Sequence, residues 1–188
     1  TWMDHSSGKS MSDFIYTPEQ LAASGISAGA KITSITFVGT PSGTKTISSL
    51  TTDAWIAQQA VSDFTAGSPN TDEMTHVNIH NAESVTFTSG TAYEFKIDLT
   101  ENPIVYDGES GIRIYTNING NGQYQSINFD IDNNYKNAYY AYGSGSFSSV
   151  TGNPVAFFNL AVETATLAGN VKTSANEAIE GATITLKA

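Results

Sequence analysis

The constraint that most limits this chain is side-chain alternation with a period of two. In YEFKIDL, Tyr93, Phe95, Ile97 and Leu99 point one way while Glu94, Lys96 and Asp98 point the other. In IRIYTNI, Ile112, Ile114 and Ile118 share a face opposite Arg113, Tyr115 and Asn117. INFDI repeats the pattern with Ile127, Phe129 and Ile131 expected inward. KITSITFV, VTFT near Val85 and VAFFNLAV near Phe158 read as further strands. Successive strand side chains fall on opposite faces, so such runs make strands with one dry and one wet face. Antiparallel sheets packed face to face satisfy that pattern. The expected fold is therefore all-β, an antiparallel β-sandwich of jelly-roll type with one short helix near the N-terminus.

The helix signal is TPEQLAASG. Thr17 can cap, Pro18 suits the first helical position, Gln20 completes a capping box and Gly25 supplies the stop. Turn chemistry falls between the alternating runs. NINGNGQ offers Asn119-Gly120 and Asn121-Gly122 for a tight hairpin, and YDGES, from Tyr106 to Ser110, is an Asp-Gly reversal. After Val162 the pattern resets: LAGNV and TITLKA read as two short strands around a polar excursion. Two strands cannot bury a core by themselves. Residues 1–165 are thus expected to form the sandwich, and 166–188 the start of a second β-module or a tail docked on a sheet edge.

Composition narrows function. The formal net charge is -10 and Arg113 is the only arginine. Nucleic acid and anionic lipid attract clustered Lys and Arg, which are missing here, so neither is an expected partner. No apolar run reaches the roughly 20 residues of a membrane-spanning helix. Cysteine is absent, which removes disulfides, thiolate metal sites and cysteine catalysis.

Three clusters carry candidate chemistry. His76 and His80 lie in EMTHVNIHNAE; on a helix they could share a zinc ion, but Val77 and Ile79 alternate as in a strand. A strand separates the two histidines by about 13 Å, too far for one ion, so solvent-facing histidines are expected. DIDNN offers Asp130, Asp132 and Asn134 as oxygen ligands, and calcium takes about 6 to 8 of them. The stretch is no EF-hand, since Tyr135 and Ala141 occupy the positions that need Gly and Glu. Calcium is the one cofactor for which the chain offers candidate ligands. NNYKNAYYAYGSGSF concentrates tyrosines whose rings can stack on sugars; alternation puts Tyr140 and Tyr142 on one face and Tyr139 on the other. Tyr135, Tyr139 and Tyr142 are the expected ligand contacts.

Catalysis finds little support. GSGSF contains Gly143-Ser144-Gly145 in what reads as a hairpin loop, and no Gly-x-Ser-x-Gly elbow precedes a helix. Arg113 is most simply a cross-strand partner of the Glu94 and Asp98 strand.

Two resemblances add to this reading. FIYTPEQLAASGISAGAKITSITFVG, VNIHNAESVTFTSGTAYEFKIDL and NPIVYDGESGIRIYTNING resemble stretches of exported Bacteroidetes surface jelly-roll domains akin to cleaved-adhesin domains, across about residues 14 to 120. Tyr93 stands where those domains often carry Trp, and Ile104 where they carry Phe. In the tail, Leu167, Gly169 and Val171, then Ile179, Gly181, Ala182, Ile184 and Leu186, resemble the opening of carboxypeptidase-regulatory-like, immunoglobulin-type modules. The resemblance implies a non-catalytic adhesion or recognition domain, secreted or at the bacterial cell surface, within a multidomain protein. Its expected partner is a surface protein or a glycan. A carbohydrate-binding accessory domain of a secreted hydrolase, and a surface-polymer subunit assembled by strand addition, are the alternatives.

Overall fold

In the computed structural model, residues 8–143, 145–150, 152–162 and 174–175 are described. The two strands expected after Val162, and with them the second module, lie outside the described residues.

The order of elements follows the alternation. Strand β1 (Lys9–Tyr16) leads into helix α1 (Pro18–Ala23), then β2 (Lys31–Pro41) and the long β3 (Lys45–Gln59). Next come β4 (Thr75–Phe87), β5 (Tyr93–Asp98), β6 (Ile104–Val105) and β7 (Gly111–Asn119). Short strands follow: β8 (Ile127–Phe129), β9 (Ile131–Asp132), β10 (Ala138–Tyr142), β11 (Ser148–Ser149), β12 (Asn153–Pro154) and β13 (Phe157–Leu160). One sheet runs β11-β10-β1-β7-β3-β4; the facing sheet runs β13-β2-β5, with β6 and β8 also paired to β2. All of these pairs are antiparallel. The chain passes repeatedly from one sheet to the other, the wiring of a jelly-roll sandwich.

The dry faces meet as the alternation requires. Phe14 and Ile114 from the six-stranded sheet and Phe37, Phe95 and Ile97 from the other are buried in one cluster. Phe14 and Phe37 touch edge to face across the interior, with ring centroids 5.7 Å apart, a geometry that adds to the area removed from water. On β5 Phe95 and Ile97 are buried, Tyr93 on the same side is half-buried, and the outward Glu94, Lys96 and Asp98 are exposed.

Helix α1 starts and stops as its residues dictate. The Gln20 amide donates to Thr17 Oγ1, and the Thr17 amide donates to Gln20 Oε1 at 2.8 Å. Gly25 takes φ +80°, and the amides of Gly25 and Ile26 donate back to Ala22 and Leu21, closing a Schellman turn. Leu21, on the inward side of the helix, is buried.

Two expectations need correction. Asn121 and Gly122 do take positive φ in a tight turn, but the turn joins β7 to β8, which belong to different sheets. It is a crossing between layers and not a hairpin. INFDI does not continue as one strand either. It breaks at Asp130, and Ile131 pairs with Pro154 in a separate two-stranded ribbon, leaving its side chain 44% exposed.

Candidate functional site

The tyrosines of β10 divide between two surfaces. Residues directly opposite in an antiparallel pair share a face, and Tyr140 and Tyr142 stand opposite Ser12 and Ser10 of β1. That is the face on which Phe14 enters the core. Serine is small, so the two rings, 4.9 Å apart, tilt over open space. The resulting cleft holds about 360 Å³ and is lined by Ser12, Phe14, Ile131, Tyr140, Tyr142 and Pro154 among others. Tyr139 leaves by the opposite face, where its ring lies 5.9 Å from Phe64. Tyr135 sits outside the strands in a smaller hollow, of about 190 Å³, beside Tyr16, Gln20 and Asn153. Tyr139 and Tyr142 thus both border the cleft although their rings leave β10 on opposite faces, while Tyr135 lines a separate hollow.

The DIDNN cluster is organised as a turn. Asp132 Oδ1 accepts from the Asn134 amide at 2.9 Å and from Asn134 Nδ2 at 2.8 Å, an Asx turn that occupies the side chain locally. Asp130 is exposed, and its carbonyl accepts from the Val155 amide. Among the described residues, no three His, Asp or Glu side chains gather as a metal would need.

Both histidines lie on β4, as the alternation of Val77 and Ile79 requires, but they turn to different partners. His76 Nε2 is 2.8 Å from Asp53 Oδ1, and the ring stacks on Trp55 at 4.9 Å. His80 Nδ1 is 2.7 Å from Glu83 Oε1, and its Nε2 is 2.7 Å from Tyr93 Oη. A bulge makes the second arrangement possible: Leu50 opposes Glu83 and Thr52 opposes His80, so β4 carries one extra residue there. Ala82, inside the bulge, takes φ +53°.

The chain carboxylate–imidazole–hydroxyl has the connectivity of an acid–base relay. Its chemistry points elsewhere. Burial, and secondarily the Glu83 charge, push the Tyr93 phenol far above the ordinary tyrosine value, so it stays protonated. The void against Tyr93 is about 10 Å³, no more than one water-sized probe fills. Tyr93 and His80 stand on β5 and β4, the edge strands of opposite sheets. Their bond latches the two layers together.

Arg113 is also placed against expectation. β7 lies between β1 and β3 in the six-stranded sheet, whereas Glu94 and Asp98 are on β5 in the other. Arg113 therefore cannot reach them and pairs instead with Asp13, both essentially buried. Nε donates to Asp13 Oδ1 at 2.9 Å, Nη2 to Oδ2 at 2.6 Å and to the Thr65 carbonyl at 2.9 Å, and Nη1 to Gln59 Oε1 at 3.1 Å. The guanidinium also lies 4.9 Å from the Phe64 ring centre, a favourable contact between cation and aromatic face.

What buries this pair on the outer face of the sheet is the long hairpin loop between the neighbouring strands β3 and β4, residues 60–74, which crosses over that face (the β3–β4 crossover). The Gly67 amide donates to Asp13 Oδ2 at 2.7 Å, which fastens the crossover at its middle. Between crossover and sheet runs a polar groove of about 540 Å³ bordered by Gln59, Asp63, Asn70, Glu73, Met74 and Arg113. The sequence reading missed this groove. Its signal was the length of the polar stretch between two strands, since long ordered connections often carry binding residues.

Comparison with protein-family models, with curated proteins and with solved structures returns no match for this chain.

Proposed function

We propose that this sandwich is a non-catalytic recognition domain of a secreted or cell-surface bacterial protein, and that the cleft beside β10 receives part of its ligand. The observation that carries the reading is the Tyr140–Tyr142 pair, tilted 55° with centroids 4.9 Å apart, over the serines of β1. Rings with hydroxyl tips, beside apolar Phe14, Ile131 and Pro154, suit contact with a partner's apolar group while keeping polar edges in water. The lining residues are suited to holding a ligand and include no carboxylate or imidazole for proton transfer. The acidic, Ser/Thr/Asn-rich composition and the resemblance to exported surface domains support an extracellular setting. Among the described residues no helix is long and apolar enough to cross a membrane.

The test is binding of the intact chain to printed panels of extracellular proteins and glycans, compared with Tyr140→Ala and Tyr142→Ala. The expected result is a discrete ligand whose affinity drops by about tenfold or more in either variant, a loss of about 1.4 kcal/mol. Ligand capture that both variants retain in full would remove the cleft from the reading.

A further inference from the structure

We propose that the groove beneath the β3–β4 crossover is a second binding site, and that it takes a neutral saccharide. This goes beyond the recognition reading and does not depend on the β10 cleft, which opens on the other face of the same sheet.

The argument begins with Arg113. A guanidinium has five N–H donors, and four are used: two on Asp13, one on Gln59 and one on the Thr65 carbonyl. The remaining N–H is on Nη1, in a side chain only 4% exposed that borders the groove. Arg113 lines the groove, so this N–H is the donor it has left for a ligand oxygen there. Asp63, Asn70 and Glu73 line the same groove. Asn70 precedes a short 3-10 turn, Thr71–Glu73, but its side chain caps no backbone amide there. Asn70 and Glu73 are both exposed along the rim.

The chemistry selects among ligand classes. An anion is disfavoured because Asp13 already balances Arg113, while Asp63, Glu73 and the net charge of -10 repel it. A wholly apolar ligand would strip water from the carboxylates and the spare N–H without replacing their hydrogen bonds. A cation would find carboxylates in the lining but a guanidinium as well. A saccharide is neutral, and each of its hydroxyls both donates and accepts. It can give hydrogen bonds to Asp63 and Glu73, accept from Arg113 Nη1 and Asn70 Nδ2, and rest apolar C–H groups on Met74 and Ala57. The groove volume of about 540 Å³ lies within the range typical of small-ligand sites.

The experiment is a titration of the ¹⁵N-labelled intact chain with glucose, galactose, mannose, N-acetylglucosamine and their β-linked disaccharides, followed by amide chemical shifts. Wild type is compared with the double variant Asn70→Ala/Glu73→Gln and with Tyr140→Ala. The expected result is a set of shifts confined to residues 57–59 and 63–74 for at least one sugar. Affinity should weaken by about tenfold in the double variant and stay unchanged in Tyr140→Ala. The proposal is overturned if no sugar moves these resonances, or if the double variant binds as wild type does. It is equally overturned if calcium chloride alone moves them and sugars do not. Sugar binding lost only in Tyr140→Ala would reject the groove and leave the recognition reading standing.

Discussion

The guanidinium of Arg113 grips the carboxylate of Asp13 through two parallel hydrogen bonds, at 2.9 and 2.6 Å, across the β1–β7 pair. The pair is sealed from water by the crossover that the same two side chains hold down. Removing one partner leaves the other charge buried and uncompensated. Arg113→Ala is therefore expected to lower unfolding free energy by about 3–5 kcal/mol, measured by urea denaturation. Replacing both residues at once, as Asp13→Leu with Arg113→Met, should cost less than the sum of the single changes, because neither charge is then stranded.

Gly67 sits where the crossover is hydrogen-bonded to Asp13 of the sheet. Its φ is +74°, and a Cβ there would run into the Phe147 ring. Gly67→Ala is expected to destabilise by roughly 1–3 kcal/mol through backbone strain and that collision. Adding Phe147→Ala should relieve the steric share only, so thermal melts of both single variants and the double variant separate the two causes.

Tyr16 is buried and its hydroxyl donates to the Pro154 carbonyl at 2.6 Å. Burial raises its pKa well above the ordinary tyrosine value, so the unfolded chain loses that proton first. The resulting contribution to stability is complete below about pH 10 and is lost as pH climbs from there toward the native value. Tyr93, Tyr106 and Tyr115 are raised too, each chiefly by burial, and add to the same trend. Urea midpoints should therefore fall above about pH 10. Tyr16→Phe should flatten that fall while costing about 1 kcal/mol at neutral pH for the missing hydrogen bond.

Thr116 carries the one buried side-chain oxygen without a hydrogen-bond partner among the described residues. An unmet hydroxyl in the interior is a standing penalty. Thr116→Val keeps the branched shape and removes it, so stability should hold or rise by up to about 1 kcal/mol. A clear drop in the melting temperature would mean that the hydroxyl is satisfied in solution.

The sandwich was legible because alternation is local: Phe95 and Ile97 declare their face to any reader of six residues. Helix α1 was legible for the same reason, since Thr17, Pro18, Gln20 and Gly25 specify its ends over nine residues. The split of Tyr139 from Tyr140 and Tyr142 also followed from the period. Partnership across the fold did not. Whether Arg113 meets Glu94, Asp98 or Asp13 depends on which strands become neighbours, and nothing within a few residues of Arg113 encodes that. The bulge at Ala82 was hidden too, because an extra residue in β4 has meaning only against the strand opposite. The groove escaped because Gln59, Asn70 and Glu73 belong to a strand end and a polar crossover, where no period marks them.

The crossover is held at its centre by contacts that avoid its rim: Gly67 offers a backbone amide, Thr65 a backbone carbonyl and Phe64 a ring face. Only Phe64 contributes through its side chain. Asn70 and Glu73 can accordingly be exchanged for other residues without unfastening the segment, much as antigen-binding loops vary on a constant frame. One frame of this kind leaves the rim free to vary in sequence while the buried ion pair beneath stays as it is.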